Sequence, residues 1–331
     1  MRAPDFWWRE NSLASKVLAP ISHIYGFVAG RPFGKGLTSK IPVICIGNFT
    51  AGGAGKTPVA RSLAKLFQAR GDEVVFLSRG YGGVMSGPHL VSSTNDRAQD
   101  VGDEPLLLAK CAPTIIAQDR VAGLKFIEQR FTPDLIIMDD GFQSARIKPH
   151  HALLVVDGQR GLGNGKVMPA GPLRAPLPVQ LEHADSLLVV QSSRGNHATV
   201  DGLMRHFEGE QALVFNTSLK LAQDYDLANK RVVAFSGIGN PQKFFNTVED
   251  AGADLVSTVP FPDHHPFTEA DAANILEQAA LFDAEIVTTA KDAIRLEGSS
   301  GNLAKLLDAS KVIEVEAVFD VPPNLNDLVR A

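Results

Sequence analysis

The residues with the clearest chemical meaning form one run: Gly47-Asn48-Phe49-Thr50-Ala51-Gly52-Gly53-Ala54-Gly55-Lys56-Thr57. An apolar run over residues 41–46 precedes it, and an amphipathic segment over 58–70 follows. Strand, glycine-rich turn and helix in that order present successive backbone N–H groups and a helix N-terminus to an anionic phosphate. Lys56 adds a positive charge for the β- and γ-phosphates, and Thr57 offers a hydroxyl to Mg²⁺. The pattern implies binding of a nucleoside triphosphate. It departs from the general G-x-x-x-x-G-K-[ST] motif at one position, where Thr50 replaces glycine; the adjacent Gly52-Gly53 pair can supply the flexibility.

Carboxylates and histidines come next. Asp139 and Asp140 end the apolar strand pattern of residues 134–138, at the strand tip where a phosphate-loop protein holds Mg²⁺; a plain acidic Asp-Asp-Gly turn is the alternative. Asp103 and Glu104 lie in Val101-Gly102-Asp103-Glu104-Pro105, where acids also suit a helix N-terminus. His264 and His265 lie in Pro260-Phe261-Pro262-Asp263-His264-His265-Pro266-Phe267, readable as a solvated loop or a catalytic one. No third and fourth ligand at zinc spacing accompanies them. Phosphoryl transfer needs positioning and charge neutralisation, and benefits from a carboxylate that takes the acceptor hydroxyl's proton. A carboxylate held by a histidine suits that task.

The elements that must position these residues alternate. Strand patterns fall at 73–78, 113–117, 134–138, 152–157 and 186–191, with helical patterns at 99–110 and 119–130 between them. Such alternation implies an α/β fold of the phosphate-loop type, a parallel sheet flanked by helices, with its ligands at the carboxyl ends of the strands. Residues 158–178 are rich in Gly and Pro and read as an ordered functional loop. A second, smaller C-terminal α/β domain begins near Arg231, with strand patterns at 232–235, 255–259, 285–288 and 312–315. The expected division is residues 1–35, 36–220 and 221–331.

Apolar residues make up 44% and charged residues 21%, as in an ordinary globular protein. A net charge of −5 argues against nucleic acid as a partner. Cys45 and Cys111 are far apart and read as reduced, buried thiols. In the N-terminal segment Leu13, Val17, Ile21, Ile24 and Val28 fall on one helical face. Arg2, Arg9, Lys16, Arg31 and Lys35 flank or interrupt it, and Trp7 and Trp8 stand beside Arg9. This amphipathic helix either lies on a membrane interface or packs on the protein's own core. Its longest uncharged run, 17–30, is too short to span a bilayer.

Taken together, the motifs resemble a known family. Residues 47–58, Ser78-Arg-Gly-Tyr-Gly82, Gly102-Asp-Glu-Pro105, Asp139-Asp-Gly-Phe-Gln143 and Gly171-Pro-Leu-Arg174 occur in that order. Ser236-Gly-Ile-Gly-Asn-Pro241, Phe261-Pro-Asp-His264 and Thr288-Thr-Ala-Lys-Asp292 follow. The set is similar to the tetraacyldisaccharide 4′-kinases of lipid A biosynthesis, and covers the chain from about residue 10 to the last strand.

The resemblance implies transfer of the γ-phosphate of ATP to the 4′-hydroxyl of a membrane-embedded acylated glucosamine disaccharide 1-phosphate, giving lipid IVA. It implies a peripheral enzyme at the cytoplasmic face of the bacterial inner membrane, docked through the N-terminal helix. Serine or threonine at position 50 is usual in that family. By motif, Asp103 is similar to the family's general base and His264 to its partner, while Lys56 serves catalysis as well as binding. Glu104, Asp139, Asp140 and Thr57 resemble the Mg²⁺-associated set, residues 50–57 the ATP loop, and Arg79, Tyr81 and Arg174 residues lining the substrate cleft. One departure is Ser144-Ala145-Arg146, where the family commonly has His followed by basic residues. A membrane-associated switch that slowly hydrolyses ATP would carry the same fold signals, and a kinase of a soluble small molecule is a further alternative.

Overall fold

The computed structural model describes residues 3–31, 33, 36–144, 146–191, 198–207 and 213–329. Arg2, Lys35 and Ala145 lie outside that set.

Short apolar runs rich in Val and Ile become fully buried parallel strands, as expected when helices cover both faces of a sheet. Among the described residues the large sheet has nine strands. In spatial order they are Val315–Phe319, Leu213–Leu221, Ser186–Val190, His151–Asp157, Val43–Gly47, Leu135–Asp139, Val74–Ser78, Thr114–Ile116 and His89–Leu90. The two edge strands are antiparallel to their neighbours and the rest pair in parallel. Alternation along each strand sorts side chains into two layers. Val43, Cys45, Ile136, Met138 and Leu154 face one core, while Ile44, Ile46, Leu135, Ile137 and Leu153 face the other. Burial pushes the Cys45 thiol up to about 12, so it behaves as a small apolar side chain. Cys111 is only half-buried, a correction to the expected pair of buried thiols; both are free.

The second lobe is a four-stranded parallel sheet, in the order Asp254–Pro260, Arg231–Ser236, Glu285–Thr289, Ser310–Ile313. The chain does not end there. After Glu314 it returns to the large sheet, where Val315 pairs with Leu221 and Phe319 with Thr217, and Leu328 is buried in that sheet's core. The strand pattern at 312–315 therefore straddles two sheets, and residues 315–329 pack with the first lobe, not with the second as expected. The strand Leu213–Leu221 was invisible in the sequence. It is half-buried along most of its length, so its pattern is weak.

The N-terminal helix, Leu13–Ala29, inverts the usual arrangement. Its buried residues are small: Ser15, Ser22 and Gly26. Ser15 Oγ donates to Ala170 O at 2.7 Å, and Ala170 N–H donates to Ser22 Oγ at 2.8 Å. Leu13, Val17, Ile21, Ile24, Phe27 and Val28 all point outward, from 56% to 76% exposed. The two tryptophans do not join that face, contrary to their reading as interface anchors. Trp7 Nε1–H donates to Pro169 O at 2.9 Å, and Trp8 lies under the Arg160 guanidinium, 4.8 Å from its ring. Both secure the segment to the loop over 158–178. That loop is ordered and also braces the phosphate loop, as Ala51 N–H donates to Pro172 O at 2.8 Å. No helix among the described residues is long and apolar enough to cross a membrane.

Candidate active site

The phosphate loop leaves the strand Val43–Gly47 and enters the helix Lys56–Ala69. Gly55 caps that helix in the left-handed region (φ 84°), a conformation that glycine adopts without strain. Within the loop, Asn48 Nδ2 donates to Thr50 O at 2.6 Å and Gly52 O at 3.3 Å, while Asn48 Oδ1 accepts from Lys56 Nζ at 3.3 Å. Thr57 is buried in the helix's first turn. Residues 50–54 line a narrow crevice with Trp8, Asp157, Arg160 and Gly161. A broad depression of about 550 Å³ near Leu276, Asp283 and Lys311 contains none of the candidate residues.

Strand Leu135–Asp139 lies directly beside the phosphate-loop strand, with Asp139 opposite Ile46. Asp140 follows with φ 48°, strained backbone for a non-glycine residue. Its carboxylate meets Lys56 Nζ at 3.4 Å and Arg174 Nη1 at 3.0 Å. Burial alone would raise the Asp140 carboxyl, but Lys56 and Arg174 outweigh it and bring it down to about 2. Arg174 also donates to Thr50 O at 3.2 Å, joining three expected site residues in one cluster.

Asp139 is the opposite case. Burial and the neighbouring Glu104 charge push its carboxyl up to about 7, against the lowering pull of Lys56, and its Oδ1 is buried with no hydrogen-bond partner. A carboxylate short of a counter-charge, next to a threonine-bearing phosphate loop, fits a hard divalent cation that keeps most of its water. No group of three or more His, Cys, Asp or Glu side chains suited to a metal occurs among the described residues. Glu104, expected in the metal set, instead receives Lys291 Nζ at 2.7 Å.

The second cluster centres on Asp103, whose neighbour Glu104 acts electrostatically on Asp139 of the first. Asp103 opens the helix Asp103–Ala109 after Gly102 (φ 93°), where a Cβ would strike the Tyr81 carbonyl. Asp103 Oδ1 accepts from Glu104 N–H at 2.8 Å, and Oδ2 meets His264 Nδ1 at 3.2 Å and the Arg295 guanidinium. His264 also has positive φ, 57°. The Tyr81 ring, largely exposed, stands edge-on to His264 with centroids 5.3 Å apart. Burial would raise the Asp103 carboxyl, but Lys291, the His264 hydrogen bond and Arg295 hold it well below the usual carboxylate range. Arg79 is exposed at the tip of its strand and joins neither cluster.

The chain as a whole matches a known group. The family model described as tetraacyldisaccharide-1-P 4′-kinase matches residues 14–331. The chain belongs to that family. It is 44% identical to the tetraacyldisaccharide 4′-kinase of Chelativorans sp. (strain BNC1), covering 99% of this chain and 95% of that one. It is 46% identical to the Agrobacterium fabrum protein of the same name, over 97% of this chain and 91% of that one. A crystal structure of LpxK from Aquifex aeolicus in complex with ATP superposes with a TM-score of 0.71 at 25% identity, covering 96% of this chain and 98% of that one.

Three basic residues in this member of the kinase family were not anticipated. Arg120, buried, donates to the carbonyls of Asp139 and Asp140 at 3.2 Å each and fixes the turn that carries both acids. Lys291 and Arg295 bind Glu104 and Asp103 from the second lobe. A signal existed for the last two: Lys291, Asp292 and Arg295 fall within one helical turn of the Thr288–Asp292 motif.

The state of Asp139 gives a stability test. Its folded-state carboxyl lies above its ordinary value of 3.8, so the stability it contributes is fully present below that value and is lost as pH rises through about 7. With divalent ions chelated, the melting temperature of the native protein should fall, relative to that of Asp139→Asn, between about pH 5 and 8. Mg²⁺ should flatten the difference. Parallel melting curves for the two proteins across that range would remove the unpaired-charge account.

Proposed function

We propose that this chain transfers the γ-phosphate of ATP to the 4′-hydroxyl of a tetraacylated glucosamine disaccharide 1-phosphate, giving lipid IVA. The observation that carries this reading is the meeting of Asp103 and His264, with the neighbouring Glu104 acting on Asp139 beside the Lys56–Asp140–Arg174 cluster at the phosphate loop. Residues 50–57 cradle the phosphates through their amides and the Lys56 ammonium. Thr57, Asp139 and Asp140 are the residues that would hold Mg²⁺, with Glu104 tuning their charge; when bound, that ion neutralises charge on the phosphate oxygens. Asp103, oriented by His264, accepts the proton of the sugar hydroxyl. Lys56 and Arg174 hold Asp140 and brace the loop. Tyr81 offers an exposed ring beside His264 to the acceptor, and Arg79, two residues earlier, is exposed as well.

The N-terminal segment, residues 1–35, brings the enzyme to its substrate as a peripheral attachment to the cytoplasmic face of the inner membrane. The outward apolar face of Leu13–Ala29 supports this, since a helix packed through serines and glycine has no internal use for it. Residues 36–220, completed by 315–329, form the kinase lobe, and 221–314 the smaller lobe.

The deciding experiment incubates the protein, Mg-ATP and the acylated disaccharide 1-phosphate in mixed micelles. Mass spectrometry should find one added phosphate on the distal sugar. ADP release that ignores the acceptor would favour the hydrolytic switch instead. For the membrane attachment, replacing Leu13, Ile21 and Ile24 by Glu should reduce flotation with phosphatidylglycerol-containing vesicles by about tenfold or more. The melting temperature should hold, because all three side chains are exposed. Undiminished flotation would assign attachment elsewhere.

A further inference from the structure

Arg295 stands where the two lobes meet, on the helix Ala290–Leu296. Its side chain is 8% exposed. Nε and Nη2 both donate to Asp103 Oδ2, and Nη1 donates to Gly237 O at 2.7 Å and Asp292 Oδ1 at 2.8 Å. Asp292 is itself immobilised: it accepts from Gly237 N–H, Ser236 Oγ and Thr289 Oγ1. The neighbouring Ile294 packs with Leu106 and Leu107, one helical turn beyond Asp103. The guanidinium is thus fixed by the second lobe's sheet and aimed at a carboxylate of the first.

We propose that Arg295 is a positioning residue for phosphoryl transfer, locking the Asp103 carboxylate in the orientation that receives the acceptor hydroxyl. The accounting of lone pairs supports this. Oδ2 is saturated by Arg295 and His264, and Oδ1 has taken only the Glu104 N–H, so the remaining acceptor capacity lies on Oδ1. A planar fork constrains a carboxylate in a way that a single ammonium or one imidazole does not. Net stability is a poor explanation for the pair, because desolvating a guanidinium and a carboxylate consumes most of their attraction. Because Arg295 belongs to the second lobe, the proton acceptor is fully assembled only when the two lobes are in contact.

The proposal rests on the reading of Asp103 as the proton acceptor, and its test separates the two. Arg295→Met, Asp103→Asn and the double variant are assayed with Mg-ATP and the acylated disaccharide, alongside thermal melts. Arg295→Met should lower kcat by about 10- to 100-fold, the effect of misplacing a catalytic group, with both KM values within about twofold. Arg295→Lys should recover part of that loss. In the double variant the losses should not multiply, leaving kcat near that of Asp103→Asn alone. Losses that multiply, a changed KM with unchanged kcat, or a native rate in Arg295→Met would each overturn the assignment. If Arg295→Met fails to fold, Arg295→Lys carries the same cycle with a smaller kcat loss. A native rate in Asp103→Asn would instead remove the role of Asp103 itself.

Discussion

Replacing Asp103 by Asn should lower turnover by about 10²- to 10⁴-fold, the usual worth of a positioned general base. The amide keeps the size of the carboxylate but cannot take the proton of the sugar hydroxyl. The KM for ATP should change little, because the Asp103 carboxylate is bonded to His264, Arg295 and the Glu104 amide and not to the phosphate loop. The substitution also deprives Arg295 of one of its two carboxylate partners, leaving Asp292. The melting temperature should therefore fall as well. Rates are to be compared at a temperature where circular dichroism shows both proteins folded. Turnover within threefold of native under those conditions would exclude Asp103 as the proton acceptor.

Lys56→Ala should lower kcat by about 10²- to 10³-fold and also raise the KM for ATP, as removal of one preorganised charge from a phosphoryl-transfer site does. Its ammonium is largely buried between Asn48 Oδ1 and Asp140 Oδ1, aligned before any ligand arrives. Without it Asp140 keeps Arg174 as a partner, so the fold should survive with little loss. The two substitutions separate by signature: Asp103→Asn acts on kcat alone, and Lys56→Ala on kcat and the nucleotide KM together. Retention of native kcat and KM by Lys56→Ala, measured by coupled ADP release, would contradict the assignment of the loop.

Much of this site was legible because its first half is local. Strand, loop, Lys56 and Thr57 are contiguous, and the acids after Met138 end a strand whose composition marks it as buried beside the loop. The second half is not local. Asp103 and His264 lie 161 residues apart, and only the family resemblance joined them. Arg295 and Lys291 were harder to read for a different reason, despite lying in or beside the Thr288–Asp292 motif. Cations on a short helix ordinarily mark a solvated face, and here the helix is roofed by the opposite lobe. The tryptophans were ambiguous for a related cause: Arg9 beside them suits a bilayer interface, while their partners in the fold, Pro169 and Arg160, lie far along the chain. The edge strands were lost because residues exposed on one side carry a diluted hydrophobic pattern.

The return of the chain to the large sheet has a consequence during biosynthesis. The partner of Leu213–Leu221 leaves the ribosome only after the whole smaller lobe. Until Val315–Phe319 emerges, the nascent kinase carries an unprotected border whose amides and carbonyls invite foreign strands. A message truncated anywhere within the smaller lobe would yield a product with that border permanently open and prone to aggregate. Synthesis of Val315–Phe319 thus seals the larger lobe and tethers the smaller one at both of its ends.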